Sequence, residues 1–142
     1  MEAGITSMAA AGLVSRCLML AKERGLRIAA AVVDAGGNLI SFQRDDGVFI
    51  AAIDAAWDKA RTANAFHRST AEMQVRLEQG KLSYLALKSA LPLEGGVPIR
   101  VGGAVVGGLG VSGAQSRVDH EIAAEVVNDL ALINCNTRTS DV

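Results

Sequence analysis

Two pairs of short apolar runs, each folded over a glycine-containing turn, constrain this 142-residue chain more than any other feature. Ile28 to Val33 is rich in β-branched residues and too brief for a helix. Asp34-Ala35-Gly36-Gly37-Asn38 reads as a turn, and Leu39 to Gln43 alternates like a half-buried strand, which completes a hairpin. Val97 to Val101 and Ala104 to Val111 repeat the arrangement across Gly102-Gly103. Helical patterns surround the hairpins. Thr6 to Arg24 carries Leu13, Cys17 and Leu20 at helical spacing and stops at Gly25. Phe49 to Asn64 carries Ile50, Ile53 and Trp57 as its expected apolar stripe. Capping-box patterns at Ser69-Thr70-Ala71-Glu72 and Ser116-Arg117-Val118-Asp119 open two more helices. The third ends near Gly80, and the last is striped by Ile122, Val126, Leu130 and Ile133. Leu82 to Leu91 is irregular with some helix, and Asn136 to Val142 is a polar, frayed end. The order α-β-β-α-α-β-β-α contains no βαβ unit. It predicts one α/β (α+β) domain over residues 1–142, with a largely antiparallel sheet of four or five strands flanked by helices.

Half the residues are hydrophobic and a fifth are charged, and much of the apolar excess is Ala and Gly. Such surfaces allow close backbone approach, so a homo-oligomer is expected. A net charge of −1 without a basic run argues against nucleic acid as a partner. No apolar run approaches the ~20 residues of a membrane span and no basic leader opens the chain, so the expected setting is cytoplasmic and away from membranes. Cys17 and Cys135 are too few for a disulfide framework and read as core thiols.

Gly108-Leu109-Gly110-Val111-Ser112-Gly113 matches the dinucleotide-binding glycine pattern, but the strand and acidic residue that must follow have no room before the chain ends. The glycines say instead that backbone is bare there, either for a neighbouring helix or for a ligand. Asp119, His120 and Glu121 occupy the first turn of the last helix, where carboxylates complement the helix dipole. Their side chains fan over about 200°, so they cannot form one compact site unaided. A metal site would need ligands from elsewhere, and none is expected. His67 sits between helices beside Arg68, just ahead of a helix start where N–H groups gather. Asp58 and Arg61 form an i,i+3 pair, whereas Lys59 can be solvated or point into a pocket.

Several stretches, taken in order, resemble the GlcG/HbpS-like family, which includes the C-terminal domain of PduO-type proteins. They are Val33-Asp34-Ala35-Gly36-Gly37, Arg44-Asp45-Asp46-Gly47, Lys59-Ala60-Arg61-Thr62-Ala63, Ser69-Thr70, Leu93-Glu94-Gly95-Gly96-Val97-Pro98-Ile99, and Val106 to Gly113 followed by Asp119. The resemblance covers nearly the whole chain. It implies a profilin-like sandwich, oligomeric assembly, and haem or tetrapyrrole binding or degradation.

Two functions follow. In the first, an enzyme carries out a hydrolysis, tautomerisation or lyase step on a small polar carboxylate. Arg44, Gly110, Ser112, Gly113, Asp119 and Glu121 would hold the substrate, and His67, His120 and Lys59 would do the chemistry without a cofactor. No nucleophile elbow (GxSxG) is present. The alternative is a haem-binding protein with His67 as axial ligand, preferred to His120 because charged Asp119 and Glu121 flank the latter. Scarce aromatic residues favour the enzyme, and the family resemblance favours haem.

Overall fold

The computed structural model describes residues 4–129 and 137–138. In chain order they form β1 (Gly4–Ile5), α1 (Ser7–Glu23), β2 (Ala29–Asp34), β3 (Leu39–Arg44), α2 (Ala51–Phe66), α3 (Thr70–Glu78), a 3₁₀ turn (Leu82–Ala86), β4 (Gly96–Val101), β5 (Ala104–Ser112), α4 (Ser116–Val127) and β6 (Thr137–Arg138). Both hairpins form as expected, and their strands join into one antiparallel sheet in the order β3-β2-β5-β4. The β2–β3 turn is closed by Asp34, whose Oδ1 accepts from the N–H groups of Gly36 and Asn38. A small second sheet pairs β1 with β6, placing part of the expected frayed end in a strand. Leu130, Ile133 and Cys135 lie outside the described residues.

Alternation along the strands separates the core into two layers. On one face, Leu13, Val14, Cys17 and Leu20 of α1 and Ile122 and Val126 of α4 pack on Ala30, Val32, Leu109 and Val111. Burial pushes the Cys17 thiol up to about 12, leaving it inert. On the other face, Ala52, Ala56 and Ala60 of α2 pack on Ala29, Ala31 and Val33.

The α2 layer departs from the expected stripe. Ile50 is 83% exposed and precedes the helix, while Ile53 and Trp57 are only half-buried. The alanines face the sheet instead, because β5 presents bare backbone to them. A Cβ at Gly108 would strike the carbonyl of Ala60, and one at Gly110 would strike that of Ala56. Small residues on both sides let the helix lie almost against the strand, which leaves no room for the larger side chains. Of the two explanations for the glycine run, the packed helix is the one realised at Gly108 and Gly110.

Candidate functional site

The most unusual side chain in the core is Lys59, 1% exposed in the middle of α2. Its ammonium donates to the carbonyl of Val111 at 3.0 Å and to Oδ2 of Asp119 at 3.3 Å. Oδ1 of Asp119 in turn accepts from the N–H of Ala114 at 3.0 Å. This one pair therefore ties α2, the end of β5 and the first turn of α4 together. Ser116 does not cap α4: Gln115 occupies the N-cap without a side-chain bond, and Asp119 reaches back past it. Gly95 and Gly96 lie directly against Lys59, and a Cβ on Gly95 would come within 2.8 Å of its Nζ. Burial is the largest influence on both charges. It pushes Asp119 up to about 6 against the opposing pull of Lys59 and the Ala114 N–H, and it lowers Lys59 despite the attraction of Asp119.

Between about pH 3.8 and 6, folded Asp119 holds a proton that the unfolded chain, near the ordinary 3.8, has released. Its contribution to stability is therefore complete below about 3.8 and is lost as pH rises through about 6. Measured by urea denaturation, wild-type stability relative to Asp119→Asn is expected to rise as pH falls from 6 to 4. A difference independent of pH would contradict the assignment.

An accessible arrangement forms at the other end of α2. The helix ends at His67, which takes the left-handed conformation (φ 54) that a helix terminus usually gives to glycine. Its imidazole is exposed, and its carbonyl accepts from the Arg100 guanidinium at 2.7 Å. His67 stands on the rim of two clefts. The larger, of about 660 Å³, runs between the β2–β3 turn, the end of α2 and the segment at Lys88 and Ser89. Two of its walls are tied by the Asn64 amide, which donates to the Ala35 carbonyl at 3.1 Å, and behind the lining the Leu91 N–H donates to Thr62 Oγ1 at 3.0 Å. Arg61, on its wall, bonds Asp58 at 2.6 Å as the i,i+3 spacing predicts, and its guanidinium lies 4.6 Å over the Trp57 ring. Ser89 is the one other non-glycine residue with positive φ among the described residues, at 59°. Both left-handed residues thus border this cleft, and such backbone costs of order 1–3 kcal/mol each and persists only where the surrounding structure holds it. The smaller cleft, of about 420 Å³, lies between Ser69 at the start of α3, Arg100 on β4 and Val127 on α4.

The residues expected to act together are distributed differently. Lys59 and Asp119 meet, but inside the core. Ser112 is buried beside them, and the Gly110 face is filled by α2. Gly113 is left-handed (φ 129), and backbone of Arg27 and Ile28 fills its Cβ direction. Arg44 is exposed at the end of β3 and lines neither cleft. Glu121 is exposed and pairs with Arg24 at 3.1 Å. His120 is half-buried, with its Nδ1 buried and unpartnered, and lines neither cleft. The two histidines share no site. Sequence reasoning missed Asn64, Lys88 and Ser89. Lys88 and Ser89 fall in the stretch without periodicity, and Asn64 is one polar residue near a helix end. Among the described residues, no three His, Cys, Asp or Glu side chains gather as metal ligands, and no helix is long and apolar enough to cross a membrane.

Comparison with known proteins agrees with the fold. The protein GlcG of Escherichia coli K12 is 33% identical over 92 residues, covering 65% of this chain and 69% of GlcG. A double mutant of HbpS from Streptomyces reticuli superposes with a TM-score of 0.85 at 31% identity, covering 92% of this chain and 89% of that one. A structure described as a PduOC–haem complex shares the fold, with a TM-score of 0.81 at 24% identity over 92% of this chain and 96% of that one. The family model described as haem degrading protein HbpS-like matches residues 5–128. The chain belongs to that HbpS-like family.

Proposed function

We propose that this protein binds haem or a similar tetrapyrrole in the cleft beside His67, with the His67 imidazole as the axial ligand. The observation that carries the reading is the placement of His67: an exposed ring, on left-handed backbone, at the rim of a cleft of about 660 Å³. The lining fits the group in part of its surface. It offers one imidazole, one aromatic ring from Phe66, and a volume within the ~300–1,000 Å³ of small-molecule sites. Its other apolar side chains are only Ala35 and Ala65, so one chain covers a porphyrin incompletely. Leu82, Leu85 and Leu87 are 67%, 67% and 39% exposed just ahead of Lys88, and a second copy seated there would complete the cover.

The enzyme reading lacks this support. Its proposed acid and base groups stand apart, with Lys59 sealed in the core, and the family description and the haem complex of a fold neighbour both speak for the tetrapyrrole. Titration with hemin, followed in the Soret region, tests the proposal. Wild type is expected to shift the band, His67→Gly to lose most of the shift, and His120→Ala to keep it. Glycine is the substitution of choice because the left-handed position favours it, so the helix end survives. Light scattering on the same samples is expected to give more than one 14.7 kDa chain per particle. An unshifted wild-type spectrum overturns the reading, and a stable monomer that binds hemin fully removes the second copy from it.

A further inference from the structure

The three clefts described differ in charge. That between α1 and the β3 end includes Lys22, Arg27, Asp45 and Asp46, and its charges cancel. The smaller His67 cleft sets Arg68 and Arg100 against Glu72. The larger His67 cleft has Arg61 and Lys88 in its lining and no carboxylate at all, in a chain whose net charge is −1. The two cations differ in how they are held. Arg61 is fixed before any ligand arrives, stacked on Trp57 and bonded to Asp58, which also shares its charge. Lys88 is exposed and has no hydrogen bond or ion pair with another described residue. It follows the 3₁₀ turn and precedes left-handed Ser89, so backbone geometry sets its position beside the cleft. A planar fork, partly neutralised by Asp58, and a compact ammonium without a partner, set on two sides of the cleft, suit carboxylates on a ligand lying in it.

We propose that this cleft holds a carboxylate-recognition subsite, in which Lys88 and Arg61 bind the anionic arms of the ligand. The inference rests on the tetrapyrrole reading for the ligand's identity, but it does not depend on the iron–His67 bond. Iron-free protoporphyrin IX and its dimethyl ester separate the two, since both lack iron and esterification removes the charge of the two propionates at the cost of two added methyl groups. Trp57 is the single tryptophan, and its fluorescence reports binding of either compound without an iron chromophore.

Wild type is expected to bind the diacid at least about tenfold more tightly than the diester, the size of one charge-assisted hydrogen bond. Lys88→Met is expected to weaken the diacid by several-fold while leaving the diester unchanged, because Lys88 is exposed and makes no hydrogen bond or ion pair with a described residue that the substitution could disturb. Arg61→Lys, which keeps the charge but not the fork, is expected to fall between wild type and Lys88→Met for the diacid. His67→Gly should leave the diacid-to-diester ratio intact. If wild type binds hemin but takes diacid and diester equally, the subsite is overturned and the haem reading stands. If the ratio collapses in Arg68→Met and not in Lys88→Met, the carboxylates lie in the smaller cleft and the assignment is likewise overturned. If the ratio is present and hemin produces no Soret shift, the axial assignment fails and the subsite remains. Binding of neither porphyrin nor hemin overturns both.

Discussion

Asp119→Ala is expected to destabilise the protein by about 3–5 kcal/mol, the usual cost of breaking a buried ion pair from one side. The substitution leaves the Lys59 ammonium in the core with only the Val111 carbonyl, and it leaves the Ala114 N–H without its acceptor. Lys59→Met is expected to cost less. The Asp119 left behind already sits at about 6, so it can take up a proton and stay buried as a neutral acid. Replacing both, as Lys59→Met with Asp119→Leu, is expected to recover most of the loss, because neither charge then has to be desolvated. Urea denaturation of these proteins, with Asp119→Leu alone to close the cycle, checks it. Single variants within 1 kcal/mol of wild type, or a double variant worse than both, would contradict a pair whose chief role is to pin α2 to β5 and α4.

Gly110→Val is expected to be at least as damaging, and by a route with no charge in it. Any Cβ on Gly110 runs into the Ala56 carbonyl and comes within 2.7 Å of the Ala60 nitrogen. These are backbone atoms of a helix and cannot turn aside as a side chain can. The helix must lift from β5, and with it go the packing of Ala56 and Ala60 and the path of Lys59 to Val111 and Asp119. A loss of about 3 kcal/mol or more follows from overpacking at such a contact, or failure to fold. Gly12, with open space where its Cβ would stand on α1, is the control. There Gly→Ala is expected to stabilise by about 0.5–1 kcal/mol through helix propensity. Thermal melts of both variants decide it, and a Gly110→Val protein that melts with wild type would refute the close helix–strand approach.

Much of this architecture is legible in the sequence, for physical reasons that differ from place to place. The hairpins are legible because Gly102-Gly103 and the Asp34–Asn38 turn punctuate β-branched runs, a strictly local signal. Ser69 is legible as a cap, and its hydroxyl accepts from the Glu72 N–H. The face that α2 buries is not legible from hydrophobicity. Ile53 and Trp57 outrank alanine on any apolar scale, yet alanine wins because the strand opposite is glycine. The information lies in β5, some fifty residues away, and only the pairing of the two segments exposes it. The fate of Lys59 is hidden in the same way, since Val111, Asp119, Gly95 and Gly96 meet it only in the fold. Of the candidate site, His67 is legible as a histidine at a helix boundary. Lys88 and Ser89 are not, since an irregular stretch carries no periodicity to place them beside the β2–β3 turn.

The axial role proposed for His67 admits a direct measurement. His67→Gly removes the imidazole and leaves a backbone that glycine favours, so free imidazole can be supplied in its place. Wild type with hemin is expected to show a shifted Soret band, His67→Gly to lose the shift, and His67→Gly with millimolar imidazole to regain it, while His120→Ala matches wild type without any addition. A His67→Gly protein that keeps the wild-type Soret band in the absence of imidazole would contradict the account.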